Sequence, residues 1–349
     1  MSAWPSSQAP SIAMKKLFSI AGLAVAALAA GAPLQHAAAQ DATLALPTVS
    51  LIFVPAYVAE EKGYWKSRGL NIKTMVIAGP GATNALLSGS ADFSSTGPGP
   101  MFRAVAKGQK LQAIASTGDR FMLEIVLRGD VAAKLGVKPD ADIESRARAL
   151  KGLSFAVDSV NGYPHGYLRY IAARSGLNAE KDLVVSPMQP PSMLAALESK
   201  RVDAMAFGQP WTTQAMKQAG AVRWISNMAG DLPELNPFAY NLFVVRGDYC
   251  EKSAAICEKF VAGIKDALSF IQDHPAEALD IAKRRAAPQM EPQIVSDAWE
   301  LLRPMLPRTP VISPASLKNA ENFSVTAGLL DEKDRVKDWT ALYTNRYAK

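Results

Sequence analysis

Residues 85–97 read ALLSGSADFSSTG, and residues 196–208 read ALESKRVDAMAFG. Aligned, Ala85, Leu86, Ser88, Asp92 and Gly97 meet Ala196, Leu197, Ser199, Asp203 and Gly208, all at one offset of 111. A second match sets Arg68-Gly69-Leu70-Asn71 against Ser175-Gly176-Leu177-Asn178 at an offset of 107. Solenoid units run only about 20 to 50 residues, so this period is too long for one. It implies two similar lobes in tandem.

The surrounding pattern says what kind of lobes. Short apolar runs alternate with helical stretches. In the first copy the expected strands are Thr48–Val54, Ile72–Ile77, Asp92–Ser95 and Leu111–Ala115. The helices between them are Tyr57–Arg68, Ala82–Leu87 and Met101–Lys107. In the second copy the strands are Leu153–Val157, Leu183–Val185 and Ala204–Phe207. Its helices are Tyr167–Arg174, Ser192–Glu198 and Thr212–Gln218. This order predicts an α/β fold of two doubly wound lobes, each an open, mostly parallel sheet with helices on both faces.

After a further strand, Asn241–Arg246, the sequence turns helical. Helices are expected over Cys257–Gln272, Ala276–Lys283, Ile294–Leu302, Ala315–Ala327 and Val336–Tyr347. A helical C-terminal tail this long is expected to pack back on lobe one. Lobe one then comprises residues 40–120 and 240–349, and lobe two residues 121–239. Two connections cross between them, near Gly118–Leu123 and Asn236–Asn241, and form a two-strand hinge that lets a cleft close.

The N-terminus carries an export signal. Met14-Lys15-Lys16 precedes an uncharged, mostly apolar run over residues 17–30, and Ala37-Ala38-Ala39 offers small residues at a cut. Residues 1–39 read as a secretory signal peptide cleaved near Ala39, which predicts a periplasmic protein. Residues 1–13 read as an upstream start-site extension ahead of Met14. Removing Lys15 and Lys16 leaves 36 basic against 32 acidic residues, a net charge of +4. The basic residues are scattered, which is not a nucleic-acid signature.

Cys250 and Cys257 are the two cysteines. Within one continuous helix they would stand about 10 Å apart along the axis, too far for a bridge. If Cys250 lies in a turn before the helix carrying Cys257, they can pair; otherwise they are free thiols. The spacing of Cys and His residues suggests no metal site.

Ligands of open parallel sheets bind beyond the strands' carboxyl ends, where helix N-termini offer free N–H groups and partial positive charge. In lobe one those loops contain Pro55 and Tyr57, then Gly81, Ala82 and Thr83, then Thr96 and Gly97. In lobe two they contain Asn161, Gly162, Tyr163 and His165, then Gln189, then Gln209 and Trp211. Asn241 lies at the return crossing. The glycines around Gly79 and Gly81 are no dinucleotide fingerprint. G-x-G-x-x-G requires glycine at position 84, which is Asn. His165 has a second reading as a surface residue, and Trp211 one as core packing. Arg103 and Arg120 are candidate counter-charges for an acidic ligand.

Four motifs carry a resemblance. Ala59-Glu60-Glu61-Lys62-Gly63-Tyr64-Trp65 with Gly69-Leu70 comes first, and Leu86 to Asp92 second. Ala149-Leu150-Lys151-Gly152-Leu153-Ser154-Phe155-Ala156-Val157 is third. The fourth is Val202-Asp203-Ala204 with Gln209-Pro210-Trp211. In order and spacing they resemble the nitrate/sulfonate/taurine-type substrate-binding proteins of bacterial ABC importers, over about Leu46 to Gln272. The resemblance implies a type II periplasmic-binding-protein-like fold and no catalysis or cofactor. It implies a monomer that takes a small-molecule ligand of the sulfonate, nitrate, carboxylate or pyrimidine class to an ABC permease with its ATPase. In that family the loop at Asn161–His165 starts a helix whose first amides hold an anionic group. Small polar residues are usual there, so Tyr163 and His165 suggest a larger or aromatic ligand.

An alternative class is an enzyme on the same fold, resembling thiamin-pyrimidine synthases or menaquinone-pathway dehydratases. The pyrimidine synthases carry a cysteine-rich motif that two cysteines do not match, and both pathways run in the cytosol. A regulator's effector domain would need a helix-turn-helix where the export signal stands.

Overall fold

The computed structural model describes residues 39–77 and 81–348. The expected signal peptide, up to residue 38, therefore lies outside the described residues, as does Gly79. The chain forms β1 (Gln40–Leu46), α1 (Val54–Glu61), β2 (Leu70–Val76), α2 (Gly81–Ser88), β3 (Phe93–Thr96), α3 (Pro98–Ala106) and β4 (Leu111–Gly118). It then crosses over and forms β5 (Glu124–Arg128), α4 (Gly129–Ala132), α5 (Ile143–Arg148), β6 (Ser154–Val157), α6 (Tyr163–Arg174) and α7 (Ala179–Asp182). β7 (Val184–Pro187), α8 (Pro190–Glu198), β8 (Ala204–Phe207), α9 (Trp211–Gln218) and β9 (Ala221–Ser226) complete this half. The return crossing leads to β10 (Asn241–Arg246), α10 (Tyr249–Lys252), α11 (Ala254–Asp273), α12 (Pro275–Arg285), α13 (Pro292–Leu302), α14 (Pro314–Thr326) and α15 (Trp339–Leu342).

Two five-stranded sheets result, with orders β2-β1-β3-β10-β4 and β7-β6-β8-β5-β9. Position for position the two orders are the same. In each, one strand runs against the rest: β10 is antiparallel to β3 and β4, and β5 to β8 and β9. The reversed strand is the one that has just arrived from the other lobe. The sheets are therefore mixed rather than simply parallel.

The repeat in the sequence has a structural cause. Asp92 Oδ2 accepts the amide of Thr43 at 2.8 Å, and Asp203 Oδ2 accepts that of Ser154 at 3.0 Å. Each aspartate ties the strand it precedes to the neighbouring strand. On the reversed strands, Arg246 donates to the carbonyl of Ala91 and Arg128 to that of Val202, the residues just before the two aspartates.

The TVSLIFV run is not a strand. Residues Leu51–Phe53 form a 3-10 turn and α1 begins at Val54. Pro55 stands in its first turn, where proline's fixed φ and missing N–H suit a helix start. The strand of this βα unit is β1, upstream. α1 stops at Glu61, short of Arg68, and of the Val336–Tyr347 stretch only Trp339–Leu342 is helical.

The tail covers lobe one. Leu268, Ile264 and Phe260 of α11, with Val295 and Trp299 of α13, pack against α1 and the sheet. Trp65 is buried here, stacked on Phe260 at 5.2 Å and donating its indole N–H to the Phe260 carbonyl at 2.9 Å. Gly263 makes this possible: a Cβ there would lie 2.2 Å from the Trp65 ring. Cys250, in α10, and Cys257, in α11, are bridged, with Cα atoms 5.8 Å apart. The turn between these helices brings them together.

α13 and α14 also reach lobe two. Lys217 of α9 pairs with Asp297 of α13 at 2.8 Å, and Tyr170 of α6 lies 5.5 Å from Phe323 of α14. The two crossings hydrogen-bond to each other, Tyr240 N–H to Gly118 O at 2.8 Å and Phe238 N–H to Asp119 O at 2.7 Å. α14 holds them from outside, its Ser316 carbonyl accepting from Ala239 at 3.0 Å.

Candidate functional site

The carboxyl ends of β3 and β6 each feed a helix through a glycine N-cap, Gly97 for α3 and Gly162 for α6. These ends belong to different sheets, yet the structure brings them together. Tyr163, the first residue of α6, extends into lobe one, where its hydroxyl accepts the Gly99 amide at 2.7 Å. Its ring fits against the glycines of α3: a Cβ at Gly97 would lie 2.8 Å from it and one at Gly99 2.9 Å. Phe238, Tyr240 and Phe323 surround the ring, with centroids 6.2, 6.4 and 5.8 Å away. Burial pushes the Tyr163 phenol well above its ordinary range, so it stays neutral. Arg103 of α3 is near that ring and donates to the Leu329 carbonyl at 3.4 Å; burial lowers its pKa.

The floor on the lobe-one side is Asn241. It is buried, with Oδ1 accepting from Ser95 at 2.9 Å and Nδ2 donating to Thr117 at 2.7 Å. Thr96 is buried beside it at the end of β3. Tyr240, the preceding hinge residue, carries its hydroxyl toward the end of β8, about where a Cβ on Gly208 would come within 4.0 Å.

Other sequence-named residues are committed elsewhere. His165 is buried and turned back on its own loop. Its Nδ1 accepts the amide of Asn161 at 3.2 Å, so Nε2 carries the proton and faces Glu180 at 3.6 Å. Asn161 stands at φ 61°, a left-handed turn to which asparagine is suited. Gln209 is buried and donates to Glu124 at 2.8 Å while accepting from Thr213 at 2.7 Å. Tyr57 is buried in the lobe-one core with the Arg285 guanidinium 5.2 Å from its ring, and burial pushes its phenol up to about 12. Gln189 is exposed at the N-cap of α8, and Trp211 opens α9, half-buried against the small core beneath it. Ala82 and Thr83 lie in the first turn of α2. Gly81 there is needed sterically, since a Cβ would meet Ile77 at 2.6 Å.

One cleft residue escaped the sequence reading. Asp158 directly follows Val157, the last residue of β6, and stands three positions before Asn161. Its Oδ1 is buried and has no hydrogen-bond partner among the described residues, and burial raises its pKa, with the neighbouring Ser159 amide and hydroxyl opposing. Its position just beyond a strand's carboxyl end was the available signal.

A groove of about 790 Å³ lies between Leu111, Gly247 and residues 333–342. It stands at the start of β4 and the end of β10, the opposite edge of the sheet from the strand ends just described.

Residues 37–286 match a family model described as the NMT1-like family. A relative from Brucella abortus (strain 2308), provisionally described as a binding protein, is 28% identical over 236 residues, 65% of this chain and 66% of that protein. The match thus spans just under two thirds of that relative's length. The nitrate/nitrite binding protein NrtA of a Nostoc species is 27% identical over 128 residues, 37% of this chain and 28% of that protein. Among solved structures, the alkanesulfonate-binding protein SsuA of Xanthomonas axonopodis pv. citri, bound to MOPS, superposes with a TM-score of 0.67 at 18% identity. It covers 88% of this chain and 100% of that one. A Candida albicans protein described as having the generic periplasmic binding protein fold superposes at 0.65 with 14% identity, covering 88% and 97%. At these identities the likeness establishes a shared fold.

Proposed function

The chain belongs to the NMT1-like family, and we propose that it is an exported solute receptor, without catalysis, for an ABC importer. It captures a small, mainly anionic organic solute between its lobes and presents it to the permease and ATPase. The lobes are residues 40–120 with 240–349, and 121–239, and the signal peptide ends near Ala39. The supporting observation is the meeting of two helix N-termini, α3 and α6, from different lobes across one hinge, joined by the Gly99–Tyr163 hydrogen bond. N–H groups converging from both sides suit an acidic group, each helix end contributing roughly 0.3–1 kcal/mol to its attraction.

Calorimetric titration with sulfonates, nitrate, carboxylates and pyrimidines tests this. One class is expected to bind at a single site, with small-angle scattering showing a more closed particle. Heat from none of them would remove the reading. Tyr163→Phe is expected to increase the radius of gyration of the ligand-free protein. It removes one interlobe hydrogen bond, worth about 1 kcal/mol or roughly fivefold in the open-to-closed ratio. An unchanged radius would show that this bond does not hold the lobes together.

A further inference from the structure

Asp158 does not fit a receptor for simple anions. It follows the last residue of β6, and its Oδ1 lies beside Gly162, the N-cap of the helix whose first residue reaches lobe one. Its Oδ1 is buried with no partner, although its neighbour Ser159 is within hydrogen-bonding reach of the carboxyl group. The site is held open for it: a Cβ on Gly162 would lie 3.0 Å from Oδ1 and 2.4 Å from Ser159 Oγ. The other group bearing on it is the Tyr240 phenol from the hinge, itself kept neutral by burial. Arg103 is directed to Leu329, and Glu180 holds Arg169 on the far side of α6. A carboxyl group placed this way repels an anion and lacks one donor.

We propose that Asp158 is a specificity-determining residue that selects solutes carrying an amino or other N–H donor in addition to the group held by the helix N-termini. The inference rests on the solute-receptor reading and narrows it to amino-bearing solutes, against nitrate and plain alkanesulfonates. The donor N–H supplies the partner that Oδ1 lacks. A charged or strongly polar hydrogen bond of this kind discriminates by about tenfold or more against a solute without it.

The test compares matched pairs by calorimetry on the purified protein: taurine against ethanesulfonate, β-alanine against propionate, aminopyrimidine against pyrimidine. In at least one pair the amino member is expected to bind about tenfold tighter. Asp158→Asn is expected to bring that pair to within about threefold of each other. The melting temperature without ligand should stay within about 2 °C of the parent, because Oδ1 has no partner among the described residues and asparagine keeps an oxygen that can accept from Ser159. Equal affinity within every pair that binds overturns the inference and leaves the receptor reading standing. So does a preference that survives Asp158→Asn, or a ligand-free melting temperature lowered by about 5 °C or more, the mark of a structural carboxylate. Binding by no member of any pair overturns both.

Discussion

In lobe one, the reversed strand β10 sets Leu242 opposite Thr96 and Ser116. In lobe two, the reversed strand β5 sets Glu124 opposite Phe207 and Ser226. Both strands stand fourth in their sheets, yet one carries hydrocarbon where the other buries a carboxylate. Glu124 is fully buried and fully engaged. It accepts from Gln209 at 2.8 Å, Thr212 at 2.6 Å and Ser226 at 2.6 Å, and pairs with Arg223 at 2.9 Å. A second buried ion pair follows nearby, Arg146 to Asp231 at 2.6 Å. Lobe one, packed beneath α11, α12 and α13, holds its own reversed strand with neutral side chains, Asn241 at the start of β10 bonding Ser95 and Thr117, and its buried carboxylate, Glu321, lies away in α14. Each lobe thus fixes its reversed strand with buried polar side chains, neutral in lobe one and charged in lobe two. Neutral bonds avoid the cost of burying a charge, which the partners of Glu124 on β5 have to offset.

Writing lobe one's residue into lobe two gives the largest expected effect. Glu124→Leu leaves Arg223 and three buried donors without their acceptor and should destabilise the protein by about 3–5 kcal/mol in urea unfolding. A loss under about 1 kcal/mol would mean that hydrocarbon serves both lobes equally well. Next come the twin aspartates. Asp92→Ala and Asp203→Ala each remove the acceptor of a strand amide and should each cost about 1–3 kcal/mol. Asp203 should stand at the upper end, because it also accepts the Ser154 hydroxyl at 2.7 Å and lies 3.5 Å from Arg128. A silent Asp92 beside a costly Asp203 would break the equivalence of the lobes.

The smallest effect tests a feature of lobe two alone. Burial, aided by Arg169, lowers the pKa of His165 below its usual 6.5, with Glu180 opposing. The unfolded chain therefore binds the proton more readily than the folded one. The stability that neutral His165 contributes is present above about pH 6.5 and declines as pH falls below it. Protonation would also set an N–H against the Asn161 amide. Melting temperatures from pH 7.5 to 5 should fall less steeply for His165→Gln than for the parent. Identical slopes would remove this histidine from the pH response.

Most of the alternating βα order was legible, because buried strands and amphipathic helices leave different periods in the sequence. The strands β5 and β9 were not legible. β5 comes straight from a crossing rather than from a helix, and β9 is an edge strand that pairs only with β5. β1 was obscured by the more apolar Thr48–Val54 run, after which Pro55 marks a helix start rather than a strand. The loops of the cleft could be placed from strand ends, but side-chain direction within them could not. His165 and Gln209 turn inward to local partners, and those partners, Asn161 and Glu124, are identified only by the fold. Asp158 was missed because a single acidic residue in a loop carries no periodic signal.

Tyr163 has a consequence for any measured affinity. Its hydroxyl already occupies the Gly99 amide, so a solute that needs this amide competes with a tethered rival at fixed effective concentration. The observed dissociation constant then equals the solute's own dissociation constant divided by the fraction of molecules in which the tyrosine has withdrawn. Removing that hydroxyl would tighten such a solute's binding without adding a contact to it.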